Sequence, residues 1–465
     1  MIQYTLNMTF WVVLLAMAGR GVWLARFGNS ALSLGWRVTS VVATFSLLIV
    51  WLALHIGYVA PLAIMQDVVA AQQALQGRPL PTTDLRPYVK SALEEEPTTV
   101  SLGAIWPRLG QEDQEEYNSV PKIISEQAHP PFMTLFVTPL VYFLGVHGTF
   151  LAMALLSIAS LGVALVLLRR GMGLELTPTQ KTLVIFLFLG WYPMFWVLRA
   201  GQSGALISGL IVLSWYCIRQ RRPLWGGIAL GIATSLKIVP VLLLVYFLLR
   251  HRRALLSGVL TIVLLNLFTV AFFGHQSYED YFQTARFVAD RYGRSLDNWS
   301  LLSALHRVSE GLGVSFLGSK PIYLGLSLAI VGGLCGMVLL KKGTSGFLSA
   351  HYDQEYSLFV AAMPLLSPIC WSHYFVLLLL PLAVLAKVAI RQNASVWTAS
   401  GFLALFMVLA VPADYSRHLV AFVQNISWRL GLLLLLLPSF ALISIVIWIA
   451  NLARALPEQR GLALE

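Results

Sequence analysis

Asp67 stands directly after the apolar run 38–64, a place where a carboxylate is costly unless it is solvated or put to use. At the beginnings of the other loops on the same side lie Arg199-Ala200-Gly201-Gln202, Lys237, His275 and Asn298-Trp299-Ser300. The stretch 367–374 adds Trp371, His373 and Tyr374, and His129 opens a proline-rich segment of its own. One carboxylate facing cations, amides and aromatics at one membrane surface is suited to moving a group from a lipid phosphate to a neutral hydroxyl. The carboxylate would take the hydroxyl proton, a step that contributes about 10²–10⁴-fold in rate. The cations would hold the departing phosphate, the electrostatic part that usually dominates. Single displacement with inversion needs one carboxylate, whereas retention needs a second beside it. The sequence offers no such partner for Asp67.

The elements that must position these residues are apolar. Of 465 residues, 58% are hydrophobic and 11% charged, and the mean hydropathy is +0.75. Soluble domains carry about a quarter charged residues, so an ordinary cytosolic enzyme is excluded, as are a disordered chain and a collagen. Repeated apolar runs predict an all-α polytopic membrane protein with about twelve transmembrane helices. The net charge of +11 is gathered in short clusters between those runs, the pattern of the positive-inside rule. No basic-aromatic groove accompanies it, which argues against nucleic acid as a partner and for the lipid bilayer.

Those clusters also set a topology. Residues 1–37 read as a cytoplasmic or interfacial segment, in which 9–25 is a span, an interfacial helix or a signal peptide. Residues 38–465 read as the transmembrane domain. Within it, 66–148 forms a first extracytoplasmic loop that holds ten of the 21 acidic residues against five basic ones. The stretch 130–145, with Pro130, Pro131 and Pro139, is expected to be a juxtamembrane helix that stays outside, followed by a span at 149–168. Spans then follow at 182–198 and 205–218. Residues 223–250 read as a tight helical pair with Lys237 near its tip, and 255–273 as a span. A second extracytoplasmic segment is expected over 274–320, before spans ending at Lys341 and covering 356–368, 374–386, 396–412 and 428–450. No internal repeat is visible, which weighs against an inverted-repeat transporter.

Cys217, Cys335 and Cys370 lack metal-ligand spacing, and a disulfide framework is not expected. No paired carboxylates stand at convincing metal-ligand spacing, so no cofactor or metal is implied. The acidic runs 94–96 and 112–116 read as solvated faces and leave a divalent cation open.

Several motifs, in order, resemble glycosyltransferase family 87, whose members include polyprenyl-phosphate-mannose-dependent α-mannosyltransferases. They are Gln66-Asp67 with the Ala-rich stretch and Gly77-Arg78-Pro79 after it, HPPF at 129–132, RAGQSG at 199–204, GIALGIATSLKIVP at 227–240, NWSL at 298–301 and SPICWSHY at 367–374. Two positions depart from the family pattern: Gly204, where Asn is frequent, and Ser372, where an acid is frequent. These departures bear on the identity of sugar and acceptor more than on the class of reaction. The resemblance implies the GT-C fold, a catalytic carboxylate in the first external loop, and a multi-pass protein of the bacterial cytoplasmic membrane.

On that resemblance Asp67 is the general base, and His373 holds or protonates the donor phosphate. Arg199 and Lys237 clamp the same phosphate. Gln202, Asn298, Trp371, Tyr374 and His129 contact sugar or acceptor, His129 chiefly by orienting the juxtamembrane helix. The expected partners are a polyprenyl-phosphate-linked sugar and a glycolipid or envelope-glycan acceptor. Two other readings stay open: the same fold with another lipid-linked sugar (arabinose or glucose), and a lipid-sugar transporter or flippase, which Lys237 keeps in view.

Overall fold

The computed structural model describes residues 62–78, 80, 128–174, 191–199, 201–295, 297–340, 350–391, 396–410 and 427–455. Expectations placed on 1–61 and 81–127, including the run 9–25 and the acidic runs, lie outside the described residues.

Among the described residues the chain forms fourteen α-helices, with short 3-10 turns between some of them and no strand. They are α1 (Leu62–Leu75), α2 (Pro131–Met172), α3 (Tyr192–Arg199), α4 (Gly204–Arg219), α5 (Pro223–Leu236), α6 (Leu242–Arg250) and α7 (Arg252–Phe273). After these come α8 (Gln276–Tyr292), α9 (Leu301–Leu312), α10 (Lys320–Leu340), α11 (Ala350–Leu366), α12 (Leu379–Arg391), α13 (Val396–Ala410) and α14 (Trp428–Ala455).

Four stretches are long and apolar enough to cross a membrane: Gly148–Met172, Arg252–Phe273, Lys320–Leu340 and Trp428–Leu452. The expected count of about twelve is not reached among the described residues. Several runs read as spans, such as 205–218, are helices of 13–17 residues. At 1.5 Å per residue these cover roughly 20–25 Å, short of the ~30 Å hydrocarbon core. They are also packed inside the protein. In α4, Ile207, Ile211, Trp215 and Ile218 are all buried, between α2, α5 and the 3-10 turn Ser372–Leu378. By contrast α7 turns Leu256, Leu260, Leu264 and Leu267 outward, as a lipid-facing helix must.

Helix α2 shows how the sequence sets the frame. Pro131 opens it, where a missing N–H costs nothing. At Gly145 the backbone takes φ 67° and ψ −172°, a conformation only glycine adopts easily. The break separates the short apolar stretch Pro131–Val146 from the membrane-length stretch Gly148–Met172, at the boundary expected for the juxtamembrane helix. Gly173 in the left-handed region then closes the helix, with its N–H and that of Leu174 on the carbonyls of Arg170 and Arg169.

Helices α5 and α7 approach closely because glycines face each other. A Cβ at Gly227 would lie 2.1 Å from the Ala254 carbonyl oxygen, and one at Gly231 2.8 Å from that of Gly258. This contact fixes the end of α5, and so the position of Lys237.

Candidate functional site

Asp67 lies in the interior of α1, not at a solvated start. The helix runs unbroken through the position, and Asp67 is fully buried. Of the two readings open to a carboxylate there, solvated or put to use, the solvated one is excluded: Ile64, Val68 and Ala71 beside it are buried among neighbouring residues. A buried carboxylate requires partners. His129 Nδ1 stands 2.7 Å from Asp67 Oδ2, and the Thr134 hydroxyl donates to Oδ1 at 3.4 Å. Both partners come from the start of α2, which packs along α1. Gln66 completes the group. Its Oε1 accepts the Ala128 N–H at 2.8 Å, which directs its Nε2 to within 3.2 Å of His129 Nδ1. His129 thus acts directly on the carboxylate, a closer role than orienting a helix. Gln66 and Thr134 were not singled out from sequence as site residues. The one signal for Gln66 was its place beside Asp67.

Lys237 occupies the break between α5 and α6, in extended backbone (φ −156°, ψ 130°). Its ammonium lies 3.9 Å from the centre of the Tyr374 ring and forms no ion pair with a described residue. Burial pulls its pKa down to about 7, with Cys370 and Asp67 acting in the opposite direction. Asp67 and Lys237 therefore share one electrostatic environment, although 170 residues separate them in the chain.

His373 is buried, and neither ring nitrogen has a hydrogen-bond partner among the described residues. It lies within electrostatic reach of Lys237 and His129, and its ring contacts those of Trp371 and Tyr374 at 5.7 and 5.0 Å. Trp371 in turn meets Tyr292 edge-on at 5.6 Å, so aromatics line this wall. The backbone beside His373 abuts the start of α4, where a Cβ on Gly204 would lie 3.5 Å from the His373 carbonyl oxygen. Gln202 Oε1 and Ser203 Oγ are there too, buried and without partners among the described residues. Partnerless buried polar atoms are rare in folded interiors, and a polar ligand would complete these.

Asn298 departs from its expected role. Its Nδ2 donates to the carbonyls of Tyr292 (3.1 Å) and Pro368 (2.9 Å). Its Oδ1 accepts from Cys370 N (2.8 Å) and Ser300 N (3.1 Å). With every hydrogen-bonding site on backbone, the side chain is a clasp between the NWSL stretch and the loop that carries His373, and nothing is left for a sugar hydroxyl. Ser300 strengthens the clasp by capping α9 and donating to Pro368 O at 3.1 Å. Arg199 ends α3, and its side chain lies outside the described ones. His275 is exposed beside Glu279, away from this group.

Among the described residues no three His, Cys, Asp or Glu side chains converge to hold a metal ion. The arrangement can take a proton at the Asp67–His129 pair and hold an anion at Lys237 and His373.

Comparison with known proteins agrees with this chemistry. The model of glycosyltransferase family 87 matches residues 128–368, just over half the chain. The match begins one residue before His129 and ends at Pro368, so Asp67 and His373 flank it. A 205-residue stretch is 30% identical to a protein of Mycolicibacterium smegmatis, strain ATCC 700084 / mc(2)155. That relative is described as a polyprenol-phosphate-mannose-dependent alpha-(1-2)-phosphatidylinositol mannoside mannosyltransferase. The aligned stretch covers 42% of this chain and 44% of the relative. No solved structure gives a significant match.

Proposed function

The chain belongs to glycosyltransferase family 87, and from that premise we propose that it moves mannose from a polyprenyl-phosphate donor to a hydroxyl of a glycolipid or envelope glycan. The transfer is a single displacement with inversion, a hexosyltransferase reaction. It takes place at the extracytoplasmic face of the bacterial cytoplasmic membrane, in a GT-C fold of about twelve spans. The donor class is supported by the name of the M. smegmatis relative. The observation that carries the reading is the buried Asp67 with His129 at 2.7 Å, facing a buried lysine.

The chemistry follows from that pairing. An acceptor oxygen attacks the anomeric carbon, and its proton passes to a base built on Asp67. The bond from that carbon to the phosphate oxygen breaks, leaving its electron pair on polyprenyl phosphate. Lys237 and His373 stand where that growing charge would be held, and Arg199 is a third candidate for the same phosphate. Trp371 and Tyr374 offer faces for a sugar ring, with Gln202 for its hydroxyls. Side-chain cations do the work for which other transferases use a metal, so turnover is expected to survive EDTA.

The test is donor turnover by the full chain in nanodiscs, with polyprenyl-phosphate-mannose and a membrane lipid extract, alongside Asp67→Ala. Mannose transfer by the native chain, lost in a folded Asp67→Ala variant, supports both the reaction and the role of Asp67. Turnover that survives the substitution removes Asp67 from the mechanism. If mannose is not transferred, arabinose and glucose donors are next, and failure with all three overturns the reading in favour of a transporter.

A further inference from the structure

We propose that the atom receiving the acceptor's proton is Nε2 of His129, with Asp67 behind it fixing the tautomer and balancing the charge. The proposal rests on the glycosyl-transfer reading above and names the atom that reading leaves open.

The geometry of the two side chains carries it. Asp67 has no solvent exposure, and both of its carboxylate oxygens face protein donors, Oδ2 toward His129 and Oδ1 toward Thr134. An acceptor hydroxyl would have to displace one of them to reach the carboxylate. His129 retains 7% exposure. Its Nδ1 is engaged, whereas Nε2 on the far side of the ring has no hydrogen-bond partner among the described residues and is not sealed from solvent. Of the pair, only the imidazole offers an unoccupied proton acceptor.

The tautomer follows from distance. Nδ1 is 2.7 Å from the carboxylate oxygen and 3.2 Å from the Gln66 amide nitrogen. The shorter contact assigns the Nδ1 proton to Asp67, which leaves the lone pair on Nε2. Gln66, whose Oε1 accepts the Ala128 N–H, packs beside the ring, and its Nε2 makes no hydrogen bond to an Nδ1 that carries the proton. Lys237 acts on Asp67, and His373 faces His129 from the opposite element. In the displacement, the hydroxyl oxygen's electron pair forms the bond to the anomeric carbon and its proton goes to Nε2. The bond to phosphate breaks with its pair on the phosphate. The resulting imidazolium sits against the Asp67 carboxylate, so the buried pair passes from a net charge of about −1 to zero.

The experiment uses the full chain in nanodiscs under conditions where the native protein transfers sugar; absence of native turnover fails the underlying reading, and that failure is visible before any variant is compared. His129→Gln fills the same space, and its folding is checked by size-exclusion chromatography. It is expected to lose about 10²–10⁴-fold in kcat with donor KM unchanged. His129→Gly should regain turnover on adding imidazole, with rates rising with the basicity of substituted imidazoles, a response that a purely structural role does not give. Retention of kcat within tenfold in folded His129→Gln overturns the proposal. So does a loss in His129→Gly that no imidazole restores, and formate rescue of Asp67→Gly would then give the proton to the carboxylate.

Discussion

The ammonium of Lys237 stands 3.9 Å from the centre of the Tyr374 ring, so the face of an aromatic serves a cation that burial otherwise disfavours. Burial brings its pKa down to about 7. Above that pH the free site holds a neutral amine, and binding an anionic donor must draw a proton onto it. Donor affinity is therefore greatest below about pH 7 and weakens as pH rises, by at most about tenfold per unit. Donor KM measured from about pH 6 to about pH 9 checks this. Lys237→Arg, which keeps its charge throughout, should flatten the profile. A flat native profile would remove Lys237 from the phosphate site.

Asn298 should behave as a clasp and not as a sugar ligand. Asn298→Ala strands the N–H groups of Cys370 and Ser300, while the two carbonyls keep their bonds from Ser300 and Ser295, and a stability loss of about 2 kcal/mol is expected. Asn298→Asp keeps acceptors for Cys370 N and Ser300 N but sets a carboxylate against the carbonyls of Pro368 and Tyr292, so it should be no better than alanine. A sugar ligand would tolerate Asp, which accepts from hydroxyls as well as Asn does. Combining Asn298→Ala with His373→Ala should cost less kcat than the two losses added, because the clasp acts through the loop that carries His373.

The packing of α5 on α7 depends on missing side chains. Gly227→Ala drives a methyl group to 2.1 Å from a backbone carbonyl, which forces the helices apart and costs about 1–3 kcal/mol. Because α5 ends at Leu236, the shift is passed to Lys237, and donor KM should rise along with the loss of thermal stability. Gly162→Ala is the control. Beyond the backbone of its own helix no atom lies within 4 Å of its added carbon, and its unfolding temperature should match or exceed the native value.

Much of this site could be read from residue types, because a carboxylate or lysine at the edge of an apolar run needs a reason to be there. Asp67 and Lys237 were singled out in that way, and the juxtamembrane stretch 130–145 by its prolines and by the arginines after the next helix. The link between Asp67 and His129 was not legible, since it spans 62 positions and exists only once α1 packs on α2. Nor does residue type distinguish an amide that binds sugar from one that binds backbone, and Asn298 fell on the other side. Four membrane-length stretches stand among the described residues, and composition marks a run as apolar without saying whether lipid or protein covers it. The helices α4 and α5 are apolar for the second reason.

The opposite end of the bundle holds a charge group just before Tyr356, where the expected span begins, to which no role is assigned from sequence. Asp353 is buried. Its Oδ1 accepts from Arg219 at 2.6 Å and from the Trp215 indole at 3.1 Å, and its Oδ2 from Lys387 at 3.3 Å. It ties the end of α4 to α11 and α12. Asp353→Ala removes the carboxylate that Arg219 and Lys387 share, and removing one member of such a group costs about 3–5 kcal/mol. Denaturant or thermal unfolding in detergent should show a loss of that size. About 20 Å of helix separates Asp353 from the His373 loop, so kcat and donor KM per folded molecule should stay at native values. A change in kcat with native stability would show that this end of the bundle communicates with the site, and would remove the purely structural role given to Asp353.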